Sequence, residues 1–390
     1  MNINEEVKLL KSYVVGLRKY FHKFPELGLE EYETSKKIKE ELTNMDIPFK
    51  EVAKTGVLAE IGNEEGKHIA LRADMDALKI EEKTEVAYSS QNKGIMHACG
   101  HDAHMAALLG AAKILKKHES EIKGKISLLF QPSEENCLGA KLMIEDGALE
   151  DVEEIFGLHV FADIECGKIS IEPGARMAAS DIFTIKIKGK SGHAGKPHQC
   201  VDASLIAAAI IMNLQSIISR EEDPLNSAVV TIGQVHAGKQ HNIIPGDAFI
   251  KGTVRSFSLV DAKQIEKSIK RIAHGTAAIY GGTAEVDYIL SAHPVVFNDE
   301  DVTKVAVNAA KKVFNENQIV SIPKMLLGED FSVYQKRIPG VFAFVGAGNE
   351  EIDRAYPNHS DKFNIDEKAV TISTALYVAY AMETLNNEEK

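Results

Sequence analysis

The chain has 390 residues, 44% hydrophobic and 26% charged, a composition that excludes collagen, coiled coil and wholesale disorder and a length that predicts two domains. Lys+Arg 45 against Asp+Glu 57 leaves a net charge of −12, which repels polyanions and argues against nucleic acid as a partner. The N-terminus lacks the basic and apolar regions of a secretory signal. The longest apolar stretch, residues 203–214, is too short for a membrane span. Four cysteines without C-x-x-C spacing fit reduced thiols, so a cytoplasmic protein without a membrane partner is expected.

In chain order, residues 5–24 carry apolar side chains at Val7, Leu10, Val14, Leu17 and Phe21, a helical stripe ended by Pro25. Residues 67–73 read as a buried strand running into Asp74-Met75-Asp76. Residues 102–118 form a small-residue helix that Asp102 can cap. Strands follow at 125–130 and 154–160, with a helix at 138–146 between them. Strands alternating with helices predict a mainly parallel α/β sheet. Residues 181–188 alternate strictly, with Phe183, Ile185 and Ile187 facing one way, which marks a half-exposed strand. A helix (202–219), two strands (229–235 and 248–254), a helix (261–280) and a strand (284–290) complete a β-α-β-β-α-β pattern. The α/β style then returns at 302–314, 341–345 and 367–384, and residues 386–390 read as frayed. The expected architecture is an α/β catalytic domain, residues 1–180 and 293–390, interrupted by a smaller α+β domain, residues 181–292, serving as lid and dimerisation surface.

Most polar side chains with chemical potential fall at the carboxyl ends of apolar strands, where open α/β sheets place their ligand crevice. The densest cluster is Met96-His97-Ala98-Cys99-Gly100-His101-Asp102-Ala103-His104. A thiolate and an imidazole two residues apart on a glycine-flexed loop can converge on one divalent cation. Glu134-Glu135 follows the strand at 125–130. In extended backbone adjacent side chains point in opposite directions, so one carboxylate can bind metal while the other accepts a proton beside it. His159 ends an apolar strand, and His359 lies in the loop Tyr356-Pro-Asn-His-Ser-Asp361. Taken singly, each has a plain structural explanation. Together, Cys99, His101, Glu135, His159 and His359 mix donors that suit Zn2+ or Mn2+ better than Mg2+. Five ligands exceed the needs of one site, so two ions are inferred.

These motifs resemble the amidohydrolase branch of the aminoacylase and glutamate-carboxypeptidase superfamily of dinuclear metallopeptidases, which includes hippurate hydrolases, N-acetyl-diaminopimelate deacetylases and auxin-conjugate hydrolases. The resemblance rests on Arg18-Lys-Tyr-Phe-His22-Lys-Phe-Pro25-Glu26-Leu27, Arg72-Ala-Asp74-Met-Asp76-Ala-Leu78, the 96–104 cluster, Gln131-Pro-Ser-Glu-Glu135 and Gly157-Leu-His159. It continues in Ser191-Gly192-His193-Ala194-Gly195, His241-Asn-Ile-Ile-Pro245, Gly252-Thr-Val-Arg255 and Gly328-Glu-Asp-Phe331. It implies metal ligands at Cys99, His101, Glu135, His159 and His359, Glu134 as general base, and Asp76 as a carboxylate beside the metals. It further implies that His193 polarises the substrate carbonyl, often across a subunit boundary, and that Asn242 and Arg255 hold the substrate carboxylate. His97 and His104 are left as supporting residues, and Cys137, Cys166 and Cys200 as packing residues. Lys79 departs from the proline common in the family at that point, which bears on substrate preference rather than on the metals.

The expected activity is hydrolysis of an N-acyl amino acid by a homodimer or dimer-based tetramer carrying two divalent ions per chain. A dipeptidase or carboxypeptidase with the same site is the alternative. A covalent mechanism with Cys99 as nucleophile and His101 or His97 as base leaves Glu134, Glu135, His159 and His359 unexplained. A non-enzymatic binding protein would have lost part of the constellation, and none of it is lost.

Overall fold

A computed structural model describes residues 1–63, 65–352 and 356–386. Two units are formed, one from Met1–Arg176, Phe297–Pro323 and Asp330–Lys390, the other from Met177–Val296 and Lys324–Glu329. The joints thus fall a few residues from those expected at 180 and 293, and the short return of Lys324–Glu329 to the smaller unit has no counterpart in the sequence reading.

The larger unit opens with α1 (Ile3–Lys23), which buries Val7, Val14, Leu17 and Phe21 on one stripe. It continues through α2 (Tyr32–Asn44), β1 (Phe49–Val52), β2 (Gly56–Gly62), β3 (Lys67–Asp74), α3 (His101–Lys117), β4 (Gly124–Gln131), α4 (Gly139–Glu145), β5 (Glu154–Glu165), β6 (Ile169–Ser170) and β7 (Gly174–Met177). The smaller unit holds β8 (Ala179–Lys188), β9 (Gly192–His193), α5 (Ala203–Ser216), β10 (Val229–Ala237), β11 (Ile243–Ile244), β12 (Asp247–Ser256), α6 (Leu259–Ile279) and β13 (Thr283–His293). The chain returns through β14 (Val296–Asn298) to α7 (Glu300–Val313), α8 (Phe331–Gln335), β15 (Gly340–Gly348) and α9 (Lys368–Asn386). Asn386 closes α9; the rest of the segment read as frayed lies outside the described residues.

The main sheet has the order β1-β2-β4-β3-β5-β15-β6. Its four central strands, β4, β3, β5 and β15, are parallel, while β1, β2 and β6 add antiparallel edges. Near-continuous burial along β3, β4 and β15 is what a parallel sheet covered on both faces demands. The register pairs Asp74 with Gln131 and Arg72 with Gly157. The strand ends therefore lie level, and the loops that leave them share one edge.

The smaller unit is an antiparallel sheet, β10-β12-β8-β13, with α5 and α6 packed on the face that carries Phe183, Ile185, Ile187 and Ile250. Lys186 and Lys188 on the other face are exposed, as the alternation required.

Two local expectations need correction. Asp102 does not cap α3: the capping position is Gly100 in a left-handed conformation, and Asp102 sits inside the first turn. Its carboxylate is taken instead by Arg18 and His22 of α1, each at 2.8 Å. The helix that carries the apolar stretch 203–214 also runs on past it. Through a terminal π turn it spans Ala203–Glu221, and by length and composition alone it could cross a membrane. Its Ile206, Ala207, Ile210, Leu214 and Ile217 are buried against the small sheet, while Leu205 and Met212 are exposed.

Candidate metal centre

All five expected ligands lie in the larger unit and come together on the carboxyl edge of its parallel strands. β3 runs into residues 75–78, which exchange backbone hydrogen bonds between Leu78 and Met96 at 3.0 Å in both directions. That bridge ties the Asp76 turn to the loop leading to Cys99. Gly100 then adopts φ 93°, and a Cβ at this position would meet Val160 Cγ2 at 2.4 Å. Only glycine lets the backbone pass so close to β5 while turning Cys99 and His101 toward the same point.

Cys99 Sγ lies 3.3 Å from His159 Nε2 and 3.3 Å from His359 Nε2. His359 Nε2 is in turn 3.4 Å from Glu135 Oε1. Two donor triads result, Cys99–His101–His159 and Cys99–Glu135–His359, each with its ligand atoms within 4.8 Å of one another. They share Cys99, the arrangement expected of two neighbouring ions.

The imidazole tautomers test whether this set fits cations. His101 Nδ1 is 2.9 Å from the Asp76 carbonyl oxygen, and His159 Nδ1 is 2.8 Å from the Val160 carbonyl oxygen. A carbonyl can only accept, so each Nδ1 carries the proton and each Nε2 offers a lone pair to the cluster. His101 Nε2 is buried without a hydrogen-bond partner among the described residues. Buried polar atoms are rarely left unpaired, and a lone pair beside a thiol and a carboxylate is ready-made for a divalent ion. Electrostatics agree. Burial raises the Cys99 thiol pKa, with the Glu135 charge adding to it. Hydrogen bonding to Cys99 and Glu135 pushes His359 up to about 10. In the metal-free chain, protons thus occupy the cluster where cations would neutralise the same charges.

Supporting contacts fix the ligands. Asp76, nearly fully buried, accepts the Glu135 N–H at 3.0 Å, so one residue holds His101 by its carbonyl and Glu135 by its carboxylate. His104 presents Nδ1 to Asp74 Oδ1 at 2.6 Å and accepts the Val160 N–H at Nε2, 2.9 Å away, anchoring the strand at His159. Asn358 donates to the Cys99 and Val160 carbonyls at 3.1 and 3.2 Å and so docks the His359 loop. His97 is buried, and burial holds its pKa down at about 3, so it stays neutral. The Asp74–His104 pair and Asn358 were not assigned these tasks from sequence; their adjacency to ligands within the quoted motifs was the signal available.

Glu134 and Glu135 lie in a turn rather than in the extended backbone expected, so alternation does not set their directions. Glu135 faces Cys99 and His359. Glu134 lies within 4.8 Å of the His101 and Glu135 donor atoms and accepts the Asp330 N–H at 3.3 Å.

The remaining expected residues belong to the smaller unit. His193 is exposed, and its Nδ1 accepts the Gly195 N–H at 2.9 Å, which leaves the proton on Nε2. β9 pairs with β11, His193 opposite Ile243, and Ala194 N donates to the Asn242 carbonyl at 3.1 Å. His193 and Asn242 are therefore neighbours. Arg255 is not: it lies near the far end of β12, donating to Ser180 Oγ at 2.6 Å and to Thr253 Oγ1. From Asp247, where the Asn242 loop enters β12, to Arg255 is eight residues of strand, roughly 26 Å at about 3.3 Å per residue. Within one chain Asn242 and Arg255 therefore flank β12, toward its opposite ends.

Residues 70–383 match Peptidase family M20/M25/M40. The chain is 41% identical over 383 residues to an N-acetyl-L-cysteine deacetylase of Bacillus subtilis, covering 98% of this chain and 90% of that protein. It is 36% identical over 389 residues to thermostable carboxypeptidase 2 of Saccharolobus solfataricus, covering 98% of each. Its fold superposes on a dinuclear metal binding peptidase of the M20 family from Bacillus subtilis with a TM-score of 0.86 at 36% identity, covering 97% of this chain and 99% of that one. A match to the family over residues 70–383, a shared fold and two donor triads that share Cys99 agree: the chain belongs to Peptidase family M20/M25/M40 and is a metal-dependent hydrolase of amide bonds.

Proposed function

We propose that this chain hydrolyses the amide bond of N-acyl amino acids, with N-acetyl or N-benzoyl groups as representative acyl parts, to a carboxylate and a free amino acid. Cys99, His101, Glu135, His159 and His359 would hold two divalent ions, Zn2+ or Mn2+. The observation that carries the reading is the donor cluster itself, two triads that share Cys99, with a Glu134 oxygen within 4.8 Å of the His101 and Glu135 donor atoms.

Bound there, the ions supply Lewis acidity that polarises the scissile carbonyl and acidifies water. Glu134 takes the proton of the attacking water on a carboxylate oxygen and returns it to the amide nitrogen as the C–N bond breaks. His193, with its proton on Nε2, donates a hydrogen bond to the carbonyl oxygen as negative charge grows on it. Arg255 offers a planar fork to the substrate carboxylate.

The separation of His193 and Asn242 from Arg255 along β12 supports a further part of the reading. A substrate held by the Arg255 of one chain meets the His193 and Asn242 of a second copy, in a homodimer. β10 is a free sheet edge, and exposed Leu205 and Met212 of α5 add apolar surface to the same unit.

The test is a side-by-side panel of N-acetyl, N-benzoyl and N-succinyl amino acids and dipeptides on metal-loaded protein. Higher kcat/KM for acylated amino acids is the expected result. Preference for dipeptides would favour the peptidase alternative, for which the similarity to a carboxypeptidase speaks.

A further inference from the structure

Arg72 and Asp330 lie outside the two triads that share Cys99, yet both are almost completely buried. A buried charge persists only where it is paired and hydrogen-bonded, and here the pairing has a particular shape. The Asp330 carboxylate accepts from both ends of the loop that carries Glu134 and Glu135. Gln131 Nε2, at the end of β4, reaches both oxygens at 2.9 Å. The Ala140 N–H, in the first turn of α4, reaches Oδ2 at 3.0 Å. Arg72 holds the assembly from beneath, with Nη2 to Asp330 Oδ1 at 2.9 Å, Nε to Gln131 Oε1 at 2.8 Å and Nη1 to Asp74 at 2.6 Å.

The loop between those ends is strained. Ser133 and Cys137 have φ of 54° and 61°, a conformation that costs a non-glycine residue about 1–2 kcal/mol and survives only where surroundings over-determine it. At its base the loop closes so tightly that a Cβ on Gly139 would stand 1.6 Å from the Pro132 carbonyl oxygen. The Asp330 N–H, carried by the same clamped residue, donates to Glu134 Oε1.

We propose that Asp330 is a positioning residue for Glu134: its carboxylate staples the two ends of the 131–140 loop, and its N–H sets the orientation of the Glu134 carboxylate. This rests on the reading of Glu134 as the base. The loop would otherwise relax from its left-handed turns, and a base displaced by about 1 Å loses on the order of 100-fold in rate. Substrate and metal contacts are made by other groups, so the loss falls on turnover.

The test is Asp330→Asn, which keeps size but replaces one acceptor oxygen with a donor that Arg72, Gln131 and Ala140 cannot all accommodate. Turnover should fall about 10- to 100-fold, the usual cost of removing an outer hydrogen-bonding partner. KM should stay within about twofold and metal content by elemental analysis should match wild type. In metal-free protein, amide exchange within residues 131–140, followed by mass spectrometry, should accelerate. Gln131→Leu releases one end of the loop while leaving the Arg72–Asp330 pair intact, and should show a smaller fall of the same kind; it carries the test if Asp330→Asn does not fold. A folded variant with wild-type kcat overturns the proposal, as does a loss of metal in step with kcat. Glu134→Gln in the same assay separates the two ideas. If it is inactive while Asp330→Asn turns over normally, only the positioning fails; if it remains active, both fail.

Discussion

Gly100→Ala places a methyl group where the metal loop has no room for it. The residue sits at φ 93° between Cys99 and His101, and a left-handed alanine costs about 1–2 kcal/mol on backbone grounds alone. The new Cβ would stand 2.4 Å from Val160 Cγ2 and 3.5 Å from Phe363 Cζ. Val160 and Phe363 are both fully buried, so neither can swing into solvent, and overpacking of this kind costs about 1–3 kcal/mol more. The sum, about 2–5 kcal/mol, corresponds to a fall in Tm on the order of 10 °C for a unit of this size. Relief of the clash must move the loop, and with it Cys99 or His101, so the apparent affinity for divalent ions should fall as well. Thermal unfolding with chelator present reads the first effect, and titration of metal into the stripped variant reads the second. A variant whose Tm lies within about 1 °C of wild type and whose metal affinity is unchanged would refute the claim that glycine is required here.

Cys99→Ala should lower metal content, since both donor triads lose their shared thiolate; unchanged content would remove Cys99 from the site. A chelator should abolish activity reversibly, and added metal should protect against iodoacetamide; rapid alkylation that metal cannot prevent would point to a nucleophilic thiol. His193→Ala and Glu134→Ala homodimers should both be nearly inactive, but in a mixed dimer one site keeps Glu134 and receives His193 from the other chain. Equal mixing makes about half the dimers mixed, each with one working site of two, so about a quarter of wild-type activity should return; no recovery despite proven subunit exchange would place His193 in its own chain's site or outside catalysis.

The constellation was legible in sequence because its chemistry is dense. Cys99 and His101 flank one glycine, Glu134 and Glu135 are adjacent, and strand ends mark where such groups gather. The alternation of Phe183, Ile185 and Ile187 likewise announced a sheet with one open face. Other features hid for physical reasons. α2 buries only Thr34, Ser35, Ile38 and Leu42, and β1 only Val52, so neither shows a strong apolar period. Asp102 carries a cap's side chain, but tertiary pairing with Arg18 and His22, some 80 residues away, claims it first. Asn242 and Arg255 are close in sequence, and only the extended strand between them shows that they face different ends of the unit. Arg72 lies in a buried strand; its partner Asp74 is two residues along the same strand, but nothing local reveals Gln131 and Asp330.

The most direct measurement is turnover of an N-acyl amino acid by metal-loaded Glu134→Gln, with the metal content of the same sample determined alongside. Glutamine keeps the shape of the side chain and cannot accept the proton. The expected result is near-complete loss of turnover with about two ions per chain retained, the count for a paired-ion site. A variant that keeps most of its activity with the metals in place would contradict the assignment of Glu134 as the base on which the proposed hydrolysis depends.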